Sequence, residues 1–247
     1  MLNIESQLET FDSISLTEMD AVRLMDRVDT KFALSIDELP DLLEKLKDLY
    51  SIVDINGLRM PTYESMYFDD EKFSFFNAHH NGREERFKVR IRNYVESGLF
   101  FLEVKHRQKG RVIKKRMRLS GFQKELSPES EEFVDAIVKE NGQLHASMMN
   151  CYRRITLVDL NRKERLTIDI ELSFSWEDKR QEYHRLVILE LKQKRFDRHG
   201  QFNQIMRSMG KRPYRLSKYC IGSLSIYKGK LKHNMFKEKM LKIEKIT

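Results

Sequence analysis

The chain is short of the residues that would place it in several common classes. It has two cysteines, Cys151 and Cys220, among 247 residues, and their separation offers none of the paired spacings of a thiolate metal site. A reducing setting is the simpler reading of so few thiols, with a disulfide between them left open. No apolar run approaches the roughly 18 residues that a membrane-spanning helix needs. The opening residues, MLNIESQLETFDSISL, lack the charged-then-apolar order of a secretory leader. A soluble, cytoplasmic chain is therefore expected. Glycine is also scarce, ten residues, and neither a P-loop nor a kinase-type glycine loop occurs, so the usual nucleotide folds are excluded. No Ser-His-Asp or Cys-His combination stands out. His79 and His80 fall in a segment read as a loop, where a structural or solvated role is expected rather than a ligand role. With no internal repeat and no low-complexity linker, residues 1–247 read as one domain. Its core covers about 20–225, and a basic, weakly amphipathic helical tail follows over 228–247, read as solvated.

What the chain has in quantity is charge. Charged residues make up 34% of it and the formal net charge is +8, against about 25% charged residues in an average domain. The balance points to an anionic partner, for which nucleic acids, phosphate compounds and acidic membranes all qualify. A hydrophobic share of 40% is enough for a core, and the length suits a barrel-sized domain.

The charge is ordered. Over residues 83–118, REERFKVRIRNYVESGLFFLEVKHRQKGRVIKKRMR, Arg86, Lys88, Arg90, Arg92 and Tyr94 share one side of an extended chain. Phe87, Val89 and Ile91 take the other. After a turn at Ser97-Gly98, Phe100, Leu102 and Val104 repeat the apolar face, while Glu103, Lys105 and Arg107 continue the ionic one. A second turn at Lys109-Gly110 leads to Lys114, Arg116 and Arg118, opposite Ile113 and Met117. This is an antiparallel meander with one apolar and one basic face.

The same alternation recurs elsewhere. Arg27, Asp29 and Lys31 oppose Val28, Phe32 and Leu34. Arg165, Thr167, Asp169 and Glu171 alternate with Leu166, Ile168, Ile170 and Leu172. In LVILELKQK, Glu190, Lys192 and Lys194 oppose Val187, Leu189 and Leu191. Residues 63–69 and 151–160 also read as strands. Helices are expected where capping boxes precede apolar stripes. Ser15 with Glu18 precedes Met19, Val22 and Met25, and Ser35 with Glu38 precedes Leu39, Leu42, Leu43, Leu46 and Leu49. Ser127-Pro128 opens a helix over Phe133, Val134, Ile137 and Val138 that Asn141-Gly142 closes. Gln201 to Met209 is a short helix stopped by Gly210.

Strands of this kind would close into a barrel in one of two ways. Aliphatic residues could point inward, or they could point outward beneath the helices around 36–49 and 128–141 and leave a charged, watery lumen. The helical stripes need an apolar surface to cover, which favours the second. The fold expected is α+β, an antiparallel β-barrel with a charged lumen flanked by α-helices. A lumen so rich in Arg and Lys requires a polyanion, because buried like charges left unpaired cost several kcal/mol each. Carboxylates among the bases point to a divalent metal bridging to it. A triphosphate or longer phosphate chain fits, and phosphoryl transfer is the chemistry such a site performs. Nucleic-acid binding would instead place aromatic and basic residues together on an exposed face.

Taken in order, R-x-D-T-K-F (Arg27 to Phe32), Y-F-D (Tyr67 to Asp69), K-V-R-I-R-N-Y (Lys88 to Tyr94) and L-E-V-K (Leu102 to Lys105) resemble the VTC domain. So do Y-R-R (Tyr152 to Arg154), R-L-T-I-D-I-E-L (Arg165 to Leu172), L-E-L-K (Leu189 to Lys192) and S-K-Y (Ser217 to Tyr219). That family is the polyphosphate polymerase domain of the vacuolar transporter chaperone complex and its bacterial relatives, within the triphosphate tunnel metalloenzymes. This chain resembles a stand-alone bacterial-type member. The resemblance implies a tunnel that transfers the γ-phosphate of ATP to a growing polyphosphate chain with Mn²⁺ or Mg²⁺.

By motif, it implies phosphate contacts from Lys31, Arg90, Arg92, Lys105, Arg154, Arg165, Lys192 and Lys218, with Arg116 and Arg118 matching a K-x-R motif loosely. Lys31, Arg90, Arg92, Lys105 and Lys218 would be catalytic. Glu190 would hold the metal, with Glu103 and Glu171 in support. The E-x-E-x-K signature of the related CYTH triphosphatases is absent, as are the SPX and transmembrane segments of the eukaryotic complex. Any membrane coupling would then need a separate membrane-protein partner. Besides ATP and polyphosphate or pyrophosphate no partner is implied. The alternatives are a tunnel triphosphatase and a non-catalytic polyphosphate-binding module.

Overall fold

The structure is a computed structural model that describes residues 4–20, 27–139 and 142–246. In chain order its elements are α1 (Ile4–Leu8), β1 (Ser13–Ile14), α2 (Leu16–Asp20), β2 (Val28–Ser35), α3 (Leu39–Leu46), β3 (Ser51–Val53), β4 (Thr62–Asp69) and α4 (Ser74–His80). The meander follows as β5 (Arg86–Tyr94), β6 (Leu99–Gln108) and β7 (Arg111–Leu119), then α5 (Pro128–Asp135). The C-terminal half comprises β8 (His145–Asp159), β9 (Glu164–Trp176), β10 (Lys179–Tyr183), β11 (Leu186–Gln193), α6 (Gln201–Ser208), α7 (Lys218–Ile226) and α8 (Lys237–Ile246). Val22, Met25 and Asn141, expected in helical stripes and caps, lie outside the described residues.

The strands form one sheet in the order β2-β11-β9-β8-β4-β5-β6-β7, with β10 on β9 and β3 on β8. Every pairing along that path is antiparallel. No hydrogen-bonded pairing joins β2 to β7 among the described residues. The segment before α7 helps bridge the gap instead. The Tyr214 amide donates to the Lys31 carbonyl of β2 at 2.6 Å, and the Lys88 ammonium of β5 donates to Ser217 Oγ at 2.9 Å.

The polarity of the sheet is inside-out, as the alternation implied. Leu39, Leu42, Leu43 and Leu46 of α3 are buried in one apolar cluster with Phe32 and Leu34 of β2, Ile168 and Ile170 of β9, and Leu189 and Leu191 of β11. Phe202 of α6 joins it, its ring edge-on to Phe32 at 5.6 Å. Each such leucine contributes about 1.5–3 kcal/mol of gross hydrophobic stabilisation. A second cluster sets Val134 of α5 with Val89, Ile91, Leu102 and Val104 of the meander. With the aliphatic faces taken up by helices, the ionic faces look into the bore.

Local chemistry accounts for the helix starts. The Ser15 amide donates to Glu18 Oε2 at 2.8 Å and the Glu18 amide to Ser15 Oγ at 3.2 Å, a reciprocal cap. Ser35 and Glu38 form the same box before α3, and Pro40 sits in its first turn, where no amide is needed. Ser127 Oγ accepts from the Ser130 amide at 3.3 Å.

Some elements differ from expectation. Residues 71–82, read as a loop, hold α4. Its first amides are capped from the end of β4: Asp69 Oδ1 and Oδ2 accept from the Phe75 and Phe76 amides at 2.9 and 3.0 Å. That cap comes from a strand residue outside the usual box spacing. His79 and His80 accordingly lie on this helix, His79 Nε2 against the Phe87 carbonyl at 3.2 Å and His80 buried. Helix α7 was not foreseen because Tyr219, Cys220, Ile221, Gly222, Ser223 and Leu224 are all buried, so it has no polar face to mark its period. The tail helix α8 is not simply solvated, since Ile243 is fully buried.

Candidate functional site

Register carries the site. Residues opposite one another in neighbouring strands share a face, and one face can be followed across the sheet. Lys31 opposes Glu190 and Asp29 opposes Lys192. Glu190 opposes Thr167, and Lys192 opposes Arg165. Asp169 opposes Arg154, Tyr152 opposes Tyr63, and Ser65 and Tyr67 oppose Arg92 and Arg90. The path ends with Arg90 against Glu103 and Lys88 against Lys105, then Glu103 against Arg116 and Lys105 against Lys114.

Three carboxylates organise the cations of this face. Asp169, 2% exposed, accepts from Arg154 Nε and Nη2 at 2.6 and 2.8 Å and from Lys218 at the start of α7. The Arg154 guanidinium also lies 5.0 Å from the Tyr63 ring and 5.2 Å from that of Tyr152. Lys218 sits 4.3 Å over the same Tyr152 ring. Glu190 lies between Lys192 at 2.6 Å and Lys31 at 3.2 Å, and Lys192 also donates to Thr167 Oγ1 at 3.2 Å. Glu103 accepts from Arg90 Nε and Nη2 at 2.8 and 2.7 Å and pairs with Lys114.

Among the described residues, other cations of the face have no carboxylate partner. Arg92, buried, donates to the Tyr152 hydroxyl at 3.0 Å and stacks 5.4 Å from the Tyr63 ring. Lys88 donates to the Ser217 hydroxyl. Arg165 keeps a buried Nε with no hydrogen-bond partner. The arrangement is rich in uncompensated positive charge.

The acid–base behaviour follows. Burial alone would raise Glu103, Asp169 and Glu190, but Arg90, Arg154 and Lys192 beside them outweigh it and hold all three below the usual carboxylate range. Burial pulls Lys88 down to about 7, helped by Lys105, Lys31 and Arg90. Burial also brings Lys114, Lys192 and Lys218 down to about 8, in spite of their carboxylates. Burial and then Lys31 lower Lys105. For Lys31 the opposing burial is outweighed by Glu190, and its ammonium is raised. A bound polyanion would oppose the downward shifts of Lys88, Lys105, Lys114, Lys192 and Lys218.

Lys31, Arg90, Arg92, Lys105, Arg154, Arg165, Lys192 and Lys218 are thus brought to one face with Glu103 and Glu190. Glu171 is not. It adopts φ 53° in a bulge where Tyr152 faces both Glu171 and Leu172, the register shifting between Cys151 and Arg153. The extra residue turns the Glu171 side chain out to solvent, 53% exposed and 3.7 Å from Arg153. Among the described residues no three His, Cys, Asp or Glu side chains converge to hold a metal. Arg116 and Arg118 are exposed on the edge strand β7, Arg116 over the Phe101 ring at 4.9 Å. Parity places Lys88, Lys114 and Asp169 on the ionic faces, but the family motifs assign them no role, and Tyr63 and Tyr152 carry no charge to mark them as part of the site.

A large antiparallel sheet, helices on its apolar side, and a cationic bore studded with carboxylates define a triphosphate tunnel fold. The family model described as the VTC domain matches residues 26–227, and the chain belongs to that family. Among solved structures, a candidate adenylate cyclase from Bacillus halodurans aligns with TM-score 0.52 at 13% identity, covering 78% of this chain and 94% of that one. A candidate adenylyl cyclase from Hippeastrum, described as having a dominant triphosphatase activity, aligns with TM-score 0.49 at 15% identity over 86% of this chain and 99% of its own. At 13% identity the likeness to the Bacillus halodurans structure shows the fold alone. Comparison with the curated proteins finds no match to this sequence. No helix among the described residues is long and apolar enough to cross a membrane.

Proposed function

We propose that this VTC domain is an ATP-dependent polyphosphate polymerase, working as a single tunnel domain in the reducing setting of the cytoplasm. The observation that carries the reading is the imbalance of the bore. Its cations outnumber its carboxylates, and Lys88, Arg92 and Arg165 form no ion pair among the described residues. Only a ligand with many closely spaced negative charges answers all of them at once.

In this reading Arg90, Arg92, Arg154 and Arg165 take planar, two-point contacts with phosphate oxygens, and Lys31, Lys88, Lys105, Lys192 and Lys218 supply compact charges. Asp169 and Glu103 hold Arg154, Lys218, Arg90 and Lys114 in place before substrate arrives, so little reorganisation is needed. A terminal oxygen of the chain attacks the γ-phosphorus of ATP. The bond to the β–γ bridging oxygen breaks, ADP leaves with that electron pair, and the chain is one phosphate longer. Positioning and charge neutralisation make up nearly all of the catalysis.

The residues suit a divalent cation on one condition. Glu190 faces the bore between Lys31 and Lys192, and it would hold Mn²⁺ or Mg²⁺ together with phosphate oxygens, with Glu103 in support and Glu171 taking no part. A hard cation held by one or two carboxylates plus substrate phosphate is common for Mg²⁺. When bound it neutralises charge on the transferring phosphate.

Incubating the full chain with ATP and Mn²⁺ or Mg²⁺ tests the reading. ADP and a ladder of polyphosphate are expected, and Glu190→Gln is expected to slow turnover by roughly a hundredfold while leaving chain binding in place. Orthophosphate with no ladder would replace the polymerase by a triphosphatase. Tight chain binding with no turnover in either protein would leave a binding module.

A further inference from the structure

Beyond the bore, β5 meets the segment before α7 through Lys88 and Ser217, and that segment shares a cavity with the C-terminal helix α8. Arg86 opposes Arg107 in the strand register, on the stripe that runs inward through Lys88 to Arg90. Arg215 and Lys239 line one shallow cavity with Leu216, Cys220, Phe236 and Met240. None of Arg86, Arg107, Arg215 and Lys239 forms an ion pair among the described residues, and the Lys239 ammonium stands over the Phe236 ring at 5.0 Å. Arg86 Nε is buried and has no hydrogen-bond partner. Burial, then the Arg107 and Arg215 cations, pull Arg86 below its ordinary range. Burial, then Arg215 and Arg86, do the same to Lys239. Glu238 on α8 stands beside Tyr214, and Glu85 is taken by His106 at 2.7 Å.

Arg107 and Arg215 are exposed and Arg86 and Lys239 half-buried, so the demand left unmet is at the buried Arg86 Nε, which an oxygen of an anionic ligand would satisfy. We propose that Arg86, Arg107, Arg215 and Lys239 form a second polyanion subsite at the mouth of the bore, which takes phosphate units of a chain beyond those gripped inside. This rests on the polyphosphate reading of the bore and adds to it a direction of travel. The phosphate chain passes along β5 from Arg90 past Lys88 to Arg86 and under α8, so that the C-terminal helix forms one wall of the exit.

The subsite makes binding depend on chain length. Tripolyphosphate fits within the bore, whereas a longer inorganic polyphosphate also reaches the mouth. Calorimetric titration of the full chain with each is the test. Arg86→Gln combined with Lys239→Gln is expected to weaken the longer polyphosphate by roughly tenfold or more, from loss of two charge-assisted contacts. Tripolyphosphate affinity stays within about twofold. The charge-keeping pair Arg86→Lys with Lys239→Arg restores long-chain affinity, and Lys45→Gln with Lys72→Gln, which removes the same net charge elsewhere, leaves it unchanged. Equal weakening of both ligands, no weakening of the longer one, or an equal loss in the remote charge control would overturn the mouth subsite while leaving the bore reading intact. A parent chain that binds neither ligand would overturn the bore reading itself.

Discussion

Asp169 is the carboxylate on which the resting site leans most, and replacing it by asparagine keeps its shape while removing its charge. The side chain is 2% exposed and holds Arg154 by two hydrogen bonds and Lys218 by another. Removing one partner of a buried ion pair typically destabilises by about 3–5 kcal/mol, because the remaining charge is left uncompensated. Against a total stability of about 5–15 kcal/mol this is a large share. At about 2–4 °C per kcal/mol for a chain of this size, the melting temperature is expected to fall by about 6–20 °C. The assay is thermal unfolding of parent and variant at neutral pH, with and without tripolyphosphate. Because the ligand supplies negative charge to the stranded cations, it is expected to raise the melting temperature of Asp169→Asn by more than that of the parent. The pH dependence has a defined sign. The folded pKa lies below the ordinary 3.8, so the contribution of Asp169 is complete above about pH 4 and is lost as the pH falls toward the folded value. Parent and variant therefore converge in acid. A variant melting within about 2 °C of the parent, or one that tripolyphosphate stabilises no further than the parent, would refute the reasoning.

Two other expectations follow from the geometry. Lys88 has a folded pKa of about 7 against an ordinary 10.5, so between those values the unfolded chain holds a proton that the folded chain has released, and this lysine's contribution to stability rises with pH across that window. A polyanion in the bore returns the proton, so tripolyphosphate binding at pH 8 takes up protons, read as a dependence of the binding enthalpy on buffer ionisation heat. Lys88→Met is expected to reduce the uptake, and an unchanged uptake counts against Lys88 facing the ligand. At the other side of the bore, a Cβ on Gly222 of α7 would stand 2.2 Å from Met148 Sδ and 2.3 Å from Phe174 Cδ1. Gly222→Ala is expected to cost about 1–3 kcal/mol through overpacking, measured by thermal unfolding, and a melting point equal to the parent's would show that α7 is not held so closely.

Much of the architecture could be read from short-range pattern. The turns at Ser97-Gly98 and Lys109-Gly110 lie where expected, with positive φ at Gly98, Lys109 and Gly110. The ionic alternation of β2, β5, β6, β9 and β11 anticipated which side chains share a face. The signals that failed were those that need a partner distant in sequence. Helix α4 starts on a carboxylate of the preceding strand, α7 is buried on every side, and β10 pairs back on β9. Glu171 looked equivalent to Thr167 and Asp169 because two-residue periodicity cannot register one bulged residue. From that point β9 changes sides, and Phe174 comes to meet Gly222 of α7 instead of following Ile168 and Ile170 into the cluster beneath α3.

Sequence alone determined the two-faced strands, the capped helices, the excess of positive charge and the family, because each depends on residue type at spacings of a few positions. The tertiary structure decided which cations receive a carboxylate and which are left without one. It gave Asp169 to Arg154 and Lys218, Glu103 to Arg90 and Lys114, and left Lys88, Arg92 and Arg86 without an ion pair among the described residues. The physical reason is range. A strand's period reports on its own neighbours, whereas the energy of a buried charge is set by whatever folding carries within a few ångströms of it.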